Sequence, residues 1–280
     1  MSKKGEHNNN PIAVFDSGLG GLTVMREIAE ALPHETIVYF GDTARLPYGS
    51  KSERTVRRYA VENTNFLLRF EPKLLIAACN TVSSVAMEHL RATFRLPMLG
   101  VVEPGSRAAA RATKSGIIGV IATEATIKSG AYTRAITAID SKIHVIARHT
   151  PLIVPMVEEG RALDDPAVAL VLEQYLAPML AEGVDALVLG CTHYPIFKAA
   201  VQRVVGENVA VVDSALSTAA EVSEMMDEIG RANPAAEVWP KYRFYVSDSG
   251  QRFMEIGGQF WGRELGNVVE ITPEEFFFQK

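Results

Sequence analysis

Short unbroken apolar runs alternate along this chain with longer segments in which apolar residues return every three or four positions. Runs of the first kind predict buried strands and segments of the second kind predict helices. Strands are expected at Ile12–Phe15, Thr36–Phe40, Leu74–Ala77 and Met98–Val102. Between them a helix is expected from a glycine turn to about Ala31, another over Ser52–Phe70 with Ser52 as its N-cap, and a third from about Thr81 to Phe94. Gly41–Ser50, rich in Gly, Pro and Asp, reads as a loop. A second series follows, with strands at Ile117–Ile121, Ile143–Ala147, Ala186–Leu189 and Val209–Val212. Its helices fall near Thr126–Ile139, Pro166–Ala181 and Ile196–Val205, and a long helical pattern runs from Ser214 to about Ile229. The tail adds a strand at Arg243–Val246, a helix near Gly250–Trp261 and a short last strand. This alternation predicts an α/β fold with largely parallel sheets.

The two series resemble one another. Ala13-Val14-Phe15-Asp16-Ser17-Gly18 opens the first much as Gly119-Val120-Ile121-Ala122-Thr123 opens the second. The interval from Asp16 to Cys79 is close to that from Thr123 to Cys191. The expectation is two similar lobes related by a pseudo-twofold, each presenting one cysteine to a shared cleft, where small molecules commonly bind.

Composition narrows the class. A chain of 280 residues with 48% hydrophobic and 22% charged residues has enough apolar material for large cores. A net charge of −5 leaves no basic footprint, so nucleic acid is not an expected partner. Two cysteines cannot build a disulfide framework, which favours a reduced, cytoplasmic setting. No apolar run approaches the ~20 residues that span a bilayer, so no membrane partner is expected. Residues 1–10 are polar, lack the apolar core of a secretory signal and read as a disordered arm.

The chemistry concentrates where strands hand over to helices. Ala78-Cys79-Asn80-Thr81 and Gly190-Cys191-Thr192-His193-Tyr194-Pro195 each place a thiol and then hydroxyl or amide groups after an apolar run. A single cysteine in such a place is ordinarily a small buried hydrophobe. The duplicated polar context points instead to two equivalent acid/base groups facing one substrate. Zinc held by Cys79, Cys191 and His193 would lack the closely spaced ligand pairs of structural zinc sites, so no metal is expected. His193 lies close enough to Cys191 in sequence to tune its thiol, or it serves the core.

Asp16-Ser17-Gly18-Leu19-Gly20-Gly21-Leu22-Thr23 is a glycine turn leading into a helix. It begins like a dinucleotide fingerprint, with Asp42 where a ribose-binding acid would stand, but Thr23 replaces the third glycine. A purely structural turn is the plainer alternative. Pro47-Tyr48-Gly49 is a rigid loop tip. In Pro155-Met156-Val157-Glu158-Glu159, Glu158 is the carboxylate expected to face inward and Glu159 the solvated one.

Taken in order, Asp16 to Val24, Leu46 to Gly49, Ala78 to Thr81, Val102-Glu103-Pro104, Val154 to Glu158 and Gly190 to Pro195 resemble the glutamate racemases of the cofactor-independent aspartate/glutamate racemase superfamily. The likeness runs from about Ile12 to at least Asp213. His149-Thr150-Pro151 departs from it, standing where many relatives carry a further, non-catalytic cysteine.

The resemblance implies two lobes joined by two crossings, residues 11–102 with 213–280 and residues 103–212. It implies interconversion of L- and D-glutamate for peptidoglycan synthesis, in the cytoplasm, without a cofactor, by a protein that in relatives is often a homodimer. Cys79 and Cys191 take the catalytic positions, serving the D- and L-enantiomers respectively. Asp16, His193 and Glu158 resemble supporting ionisable residues. Asp16, Ser17, Tyr48, Gly49, Asn80, Thr81, Thr192 and His193 match substrate-contacting positions. Aspartate racemisation, a non-catalytic amino-acid-binding protein and a dinucleotide oxidoreductase are the rival readings.

Overall fold

The computed structural model describes residues 10–228 and 241–272. The expected arm lies outside the described residues except for Asn10. In chain order the strands are β1 (Ile12–Asp16), β2 (Ile37–Gly41), β3 (Leu74–Ala77), β4 (Met98–Gly100), β5 (Ile117–Ala122), β6 (His144–His149), β7 (Ala186–Gly190), β8 (Ala210–Asp213), β9 (Tyr242–Val246) and β10 (Val268–Glu270). They form two sheets, ordered β10-β9-β2-β1-β3-β4 and β6-β5-β7-β8, with every pairing parallel. The central strands β1, β2, β3 and β7 are buried along their whole length, which is why they read as unbroken apolar runs.

The repeat seen in the sequence is a repeat of topology. The segment β2-β1-β3-β4 of the first sheet has the same order as β6-β5-β7-β8. In each, the chain moves to one side of its first strand and then to the other. Such a switch opens a crevice at the carboxyl ends of the two strands that flank it. Asp16 ends β1 and Cys79 follows β3, while Thr123 follows β5 and Cys191 follows β7. The equivalent thiols therefore stand at equivalent crevices.

The helices are α1 (Leu22–Ala31), α2 (Glu53–Leu68), α3 (Asn80–Val85), α4 (Met87–Thr93), α5 (Val102–Ala112), α6 (Glu124–Ser129), α7 (Ala131–Ile139), α8 (Ile153–Glu158), α9 (Pro166–Ala181), α10 (Lys198–Val205), α11 (Ser214–Glu228) and α12 (Gly250–Trp261). Ser52 caps α2 as expected, its side chain accepting from the Thr55 N–H. The single helix expected over Thr126–Ile139 is two, because Gly130 takes φ +64° between α6 and α7. The helix expected to Phe94 breaks at Ala86 into α3 and α4. Two helices lack a sequence expectation. α5 begins where β4 was expected to continue, with Pro104 in its first turn, where a missing N–H costs nothing. α8 is short and carries Pro155 near its start.

The chain passes from the first sheet to the second through α5 and returns through α11, which packs on α1 and α5. A single apolar cluster joins Val14 and Ile76 of the first sheet to Ile121 and Leu189 of the second. The opposite faces have separate cores, around Phe15 and Phe40 in one and Val120 and Val188 in the other. Among the described residues no helix is long and apolar enough to cross a membrane.

Candidate active site

The crevices of the two sheets face one cavity of about 320 Å³. Cys79 and Cys191 both line it, with Ser17, Tyr48, Gly49, Asn80, Thr81, Glu158, Thr192 and His193. Of the residues expected from sequence, only Asp16 is absent from the wall. It lies directly behind, fully buried, accepting from the Gly18 N–H at 2.9 Å and from the Thr192 hydroxyl at 3.4 Å. A larger hollow of about 680 Å³ opens beside Tyr242, Trp261 and Arg263, but it contains neither thiol nor any of the expected residues.

The two thiols differ in their surroundings. Cys79 occupies the N-cap position of α3, 3.7 Å from the Ser17 hydroxyl. Burial, with the Asp16 carboxylate beside it, pushes its thiol up to about 12, so it holds its proton in the resting site. Cys191 Sγ stands 3.9 Å from His193 Nδ1. The other ring nitrogen, Nε2, is 3.1 Å from Glu158 Oε1. Burial by itself would push the His193 imidazole down, but the hydrogen bonds with Cys191 and Glu158 outweigh it and raise it to about 10. His193 is therefore an imidazolium near neutrality, and its hydrogen bond holds the Glu158 carboxyl below its ordinary value. Asp16 is pushed up by burial, against the pull of the His193 charge.

Close approach between the lobes makes this possible. A Cβ on Gly20 would stand 2.2 Å from Thr192 Oγ1 and 2.6 Å from His193 Nδ1, so the glycine turn is seated directly against the Cys191 turn. The Thr23 hydroxyl, at the end of the same turn, reaches the Thr192 carbonyl at 3.3 Å. The residue that spoils the dinucleotide fingerprint thus belongs to the lobe contact. Asp42 has its own partners, accepting from Arg45, Tyr48 and Ser247. The Tyr48 hydroxyl is accordingly turned to Asp42, although the residue lines the cavity.

Several residues at the cavity carried no sequence expectation. The Thr123 and Thr126 hydroxyls lie 2.9 Å and 3.4 Å from that of Thr81, and the Ala125 N–H donates to the Gly49 carbonyl at 2.9 Å. These bonds tie the start of α6 to the first lobe across the cavity. Thr123 was visible as the opening of the second series, though not as a site residue. Thr150 and Tyr194, hydroxyl to hydroxyl at 2.7 Å, line the second-lobe wall. Asn80 Oδ1 accepts from Tyr132 at 2.6 Å, while its Nδ2, buried, finds no hydrogen-bond partner among the described residues. Glu159 pairs with Arg161, and both side chains are about half exposed, in line with its reading as a solvated neighbour.

Chemically, the cavity offers one protonated thiol, one thiol beside a cation and a set of N–H and O–H donors for carboxylates. Comparison with known proteins agrees with that description. The family model for Asp/Glu/hydantoin racemases matches residues 12–222. A glutamate racemase of Geobacter metallireducens is 46% identical over 263 residues, which is 94% of this chain and 97% of that relative. Among solved structures, a glutamate racemase of Bacillus anthracis superposes with a TM-score of 0.90 at 37% identity, over 95% of this chain and 98% of that one. A glutamate racemase of Francisella tularensis in complex with D-glutamate gives 0.87 at 36% identity, over 94% of this chain and 98% of its own.

Proposed function

The chain belongs to the Asp/Glu/hydantoin racemase family, and from that premise we propose that it interconverts L- and D-glutamate without a cofactor, supplying D-glutamate for peptidoglycan synthesis. The observation that carries the reading is the pair of buried thiols. They come from topologically equivalent strand ends and line one cavity with an unpartnered amide donor.

Racemisation removes the α-hydrogen from one face and returns a proton to the other. The reaction therefore needs a base and an acid on opposite faces, with roles exchanged in reverse. In the L-to-D direction Cys191, beside the His193 imidazolium, takes the proton of L-glutamate, and Cys79, the protonated thiol, returns one to the far face. In reverse Cys79 must first lose its proton, and the buried Asp16 carboxylate is the nearby group that can receive it.

Positioned acid/base groups contribute about 10²–10⁴-fold. That is too little for a proton beside a carboxylate, so charge spreading into that carboxylate must also be stabilised. Asn80 Nδ2 and the Ser17 and Thr81 hydroxyls are the donors available for it. Glu158 holds the imidazolium in place.

The lobe boundaries at 102/103 and 212/213, the cytoplasmic location and a homodimer belong to the same proposal; fractionation and light scattering test the last two. The activity itself is tested by incubating the protein with L-glutamate alone and following optical rotation. Decay of rotation without added cofactor is expected. No change with L-glutamate, together with decay for L-aspartate, would select the aspartate enzyme. No change with either, with binding retained, would select a binding protein.

A further inference from the structure

Asn80 is the first residue of α3, next to Cys79, and is 2% exposed. Its amide is useful to an anionic substrate in one orientation only. With Nδ2 in the cavity it donates to a carboxylate, and flipped it would offer an acceptor and repel one. The choice is made from the other lobe. Tyr132, on α7 and 3% exposed, donates its hydroxyl hydrogen to Asn80 Oδ1 at 2.6 Å. Burial holds the phenol proton well above its ordinary value, so the group stays a donor. Ser214, the first residue of α11 where the chain returns to the first sheet, stands close by, its Cβ 3.1 Å from the point that a Cβ on Gly105 would occupy. The phenol's one hydrogen is directed at Asn80.

The ring is seated against two glycines. A Cβ on Gly190 would stand 3.2 Å from Tyr132 Cε2, and one on Gly105 would stand 3.5 Å from the hydroxyl. Gly190 immediately precedes Cys191, and Gly105 lies in the other crossing, α5. A single side chain thus lies against the turn of each thiol and against α5, one of the two crossings between the sheets.

We propose that Tyr132 is a positioning residue: its hydroxyl sets the Asn80 amide so that Nδ2 faces the substrate carboxylate. The inference rests on the racemase reading, since it takes the ligand at Nδ2 to be the substrate's carboxylate. Tyr132 acts through Asn80 and does not touch the reacting atoms.

A double-mutant cycle separates this role from simple packing. Tyr132→Phe, Asn80→Ala and the double variant are compared with wild type in kcat/KM for both enantiomers. D-glutamate affinity by calorimetry is measured on the same samples, so a slow variant still reports. Tyr132→Phe is expected to lower kcat/KM about 10-fold, the worth of one hydrogen bond to a buried group. In the Asn80→Ala background the same change is expected to alter kcat/KM and affinity less than about 2-fold, within the usual error of additivity. Asn80→Asp keeps an acceptor for the Tyr132 hydroxyl but replaces the Nδ2 donor with an anionic oxygen; it is expected to bind D-glutamate at least about 10-fold more weakly and serves if Tyr132→Phe does not fold, and wild-type affinity there would overturn the inference. Equal factors in both backgrounds, or a fully active Tyr132→Phe, would overturn the inference and leave the racemase reading standing. A wild type inert on glutamate and aspartate would overturn both.

Discussion

Replacing Gly20 by Ala is a test of how tightly the two lobes must close on the site. The added Cβ would stand 2.2 Å from Thr192 Oγ1, 2.6 Å from His193 Nδ1 and 2.9 Å from His193 Cε1. Comfortable contact begins at about 3.5 Å, so the Thr192-His193 turn must withdraw by about 1 Å or more. Rotating Thr192 alone does not relieve it, because the His193 ring is in the way and is itself held by Glu158 and set edge-on to Phe260. Overpacking of this kind costs about 1–3 kcal/mol of stability. The effect on catalysis is larger, since a misplacement of about 1 Å at reacting groups can cost about 10²-fold in rate. The two measurements are glutamate racemisation by circular dichroism and urea denaturation on the same preparation. Gly266→Ala is the control, because a Cβ there meets nothing within 4 Å, and it is expected to stay within about 0.5 kcal/mol and retain full activity. A Gly20→Ala protein with wild-type stability and kcat/KM would refute the claim that the glycine turn and the Cys191 turn are in working contact.

Other expectations follow from the same geometry. Cys79→Ala and Cys191→Ala are each expected to abolish racemisation with the thermal midpoint little changed; near-wild-type turnover in either would exclude a two-thiol mechanism. Glu158→Gln removes the carboxylate charge from one of the two hydrogen bonds that raise His193 to about 10 from an ordinary 6.5. A raised folded value means that the stability from the imidazolium is complete below about 6.5 and is lost as pH rises through about 10. The lowered Glu158 carboxyl contributes above about 4.5 and is lost as pH falls through its folded value. The variant should therefore be least stable relative to wild type between about pH 4.5 and 6.5, by about 1–2 kcal/mol after discounting the partial exposure of Glu158, and the gap should close towards pH 10. A pH-independent difference in urea denaturation would refute the ion pair.

Much of this molecule was legible in the sequence because parallel strands buried on both faces leave continuous apolar runs. Leu74–Ala77 was located to the residue, and Ile12–Phe15 and Ala186–Leu189 to within one. The thiol-bearing turns followed, since a strand end is where an α/β sheet exposes its chemistry. What escaped depended on contacts remote in sequence. α5 was lost because its N-cap Val101 and first residue Val102 extend the apolar run of β4, which ends at Gly100, where a Cβ would meet Ser83 and Met87. α8 is too short to show a period. Tyr132, Thr123 and Thr126 could not be read as site residues, because their partners Asn80 and Thr81 lie on the other lobe. The glycine turn begins like a dinucleotide fingerprint that Thr23 already breaks in the sequence, and what the sequence hides is that Thr192 and His193 are set against Gly20.

The central claim is that each face of the substrate has its own sulphur, and isotope incorporation tests it most directly. L-glutamate is converted in D₂O, and both enantiomers are separated and weighed by mass spectrometry early in the reaction. Two bases predict D-glutamate carrying one deuterium at Cα, because the proton returned comes from Cys79 after exchange with solvent. They also predict recovered L-glutamate that is almost unlabelled. Recovered L-glutamate gaining deuterium ahead of product formation, or a product that retains the original hydrogen, would mean that one group serves both faces and would contradict the account.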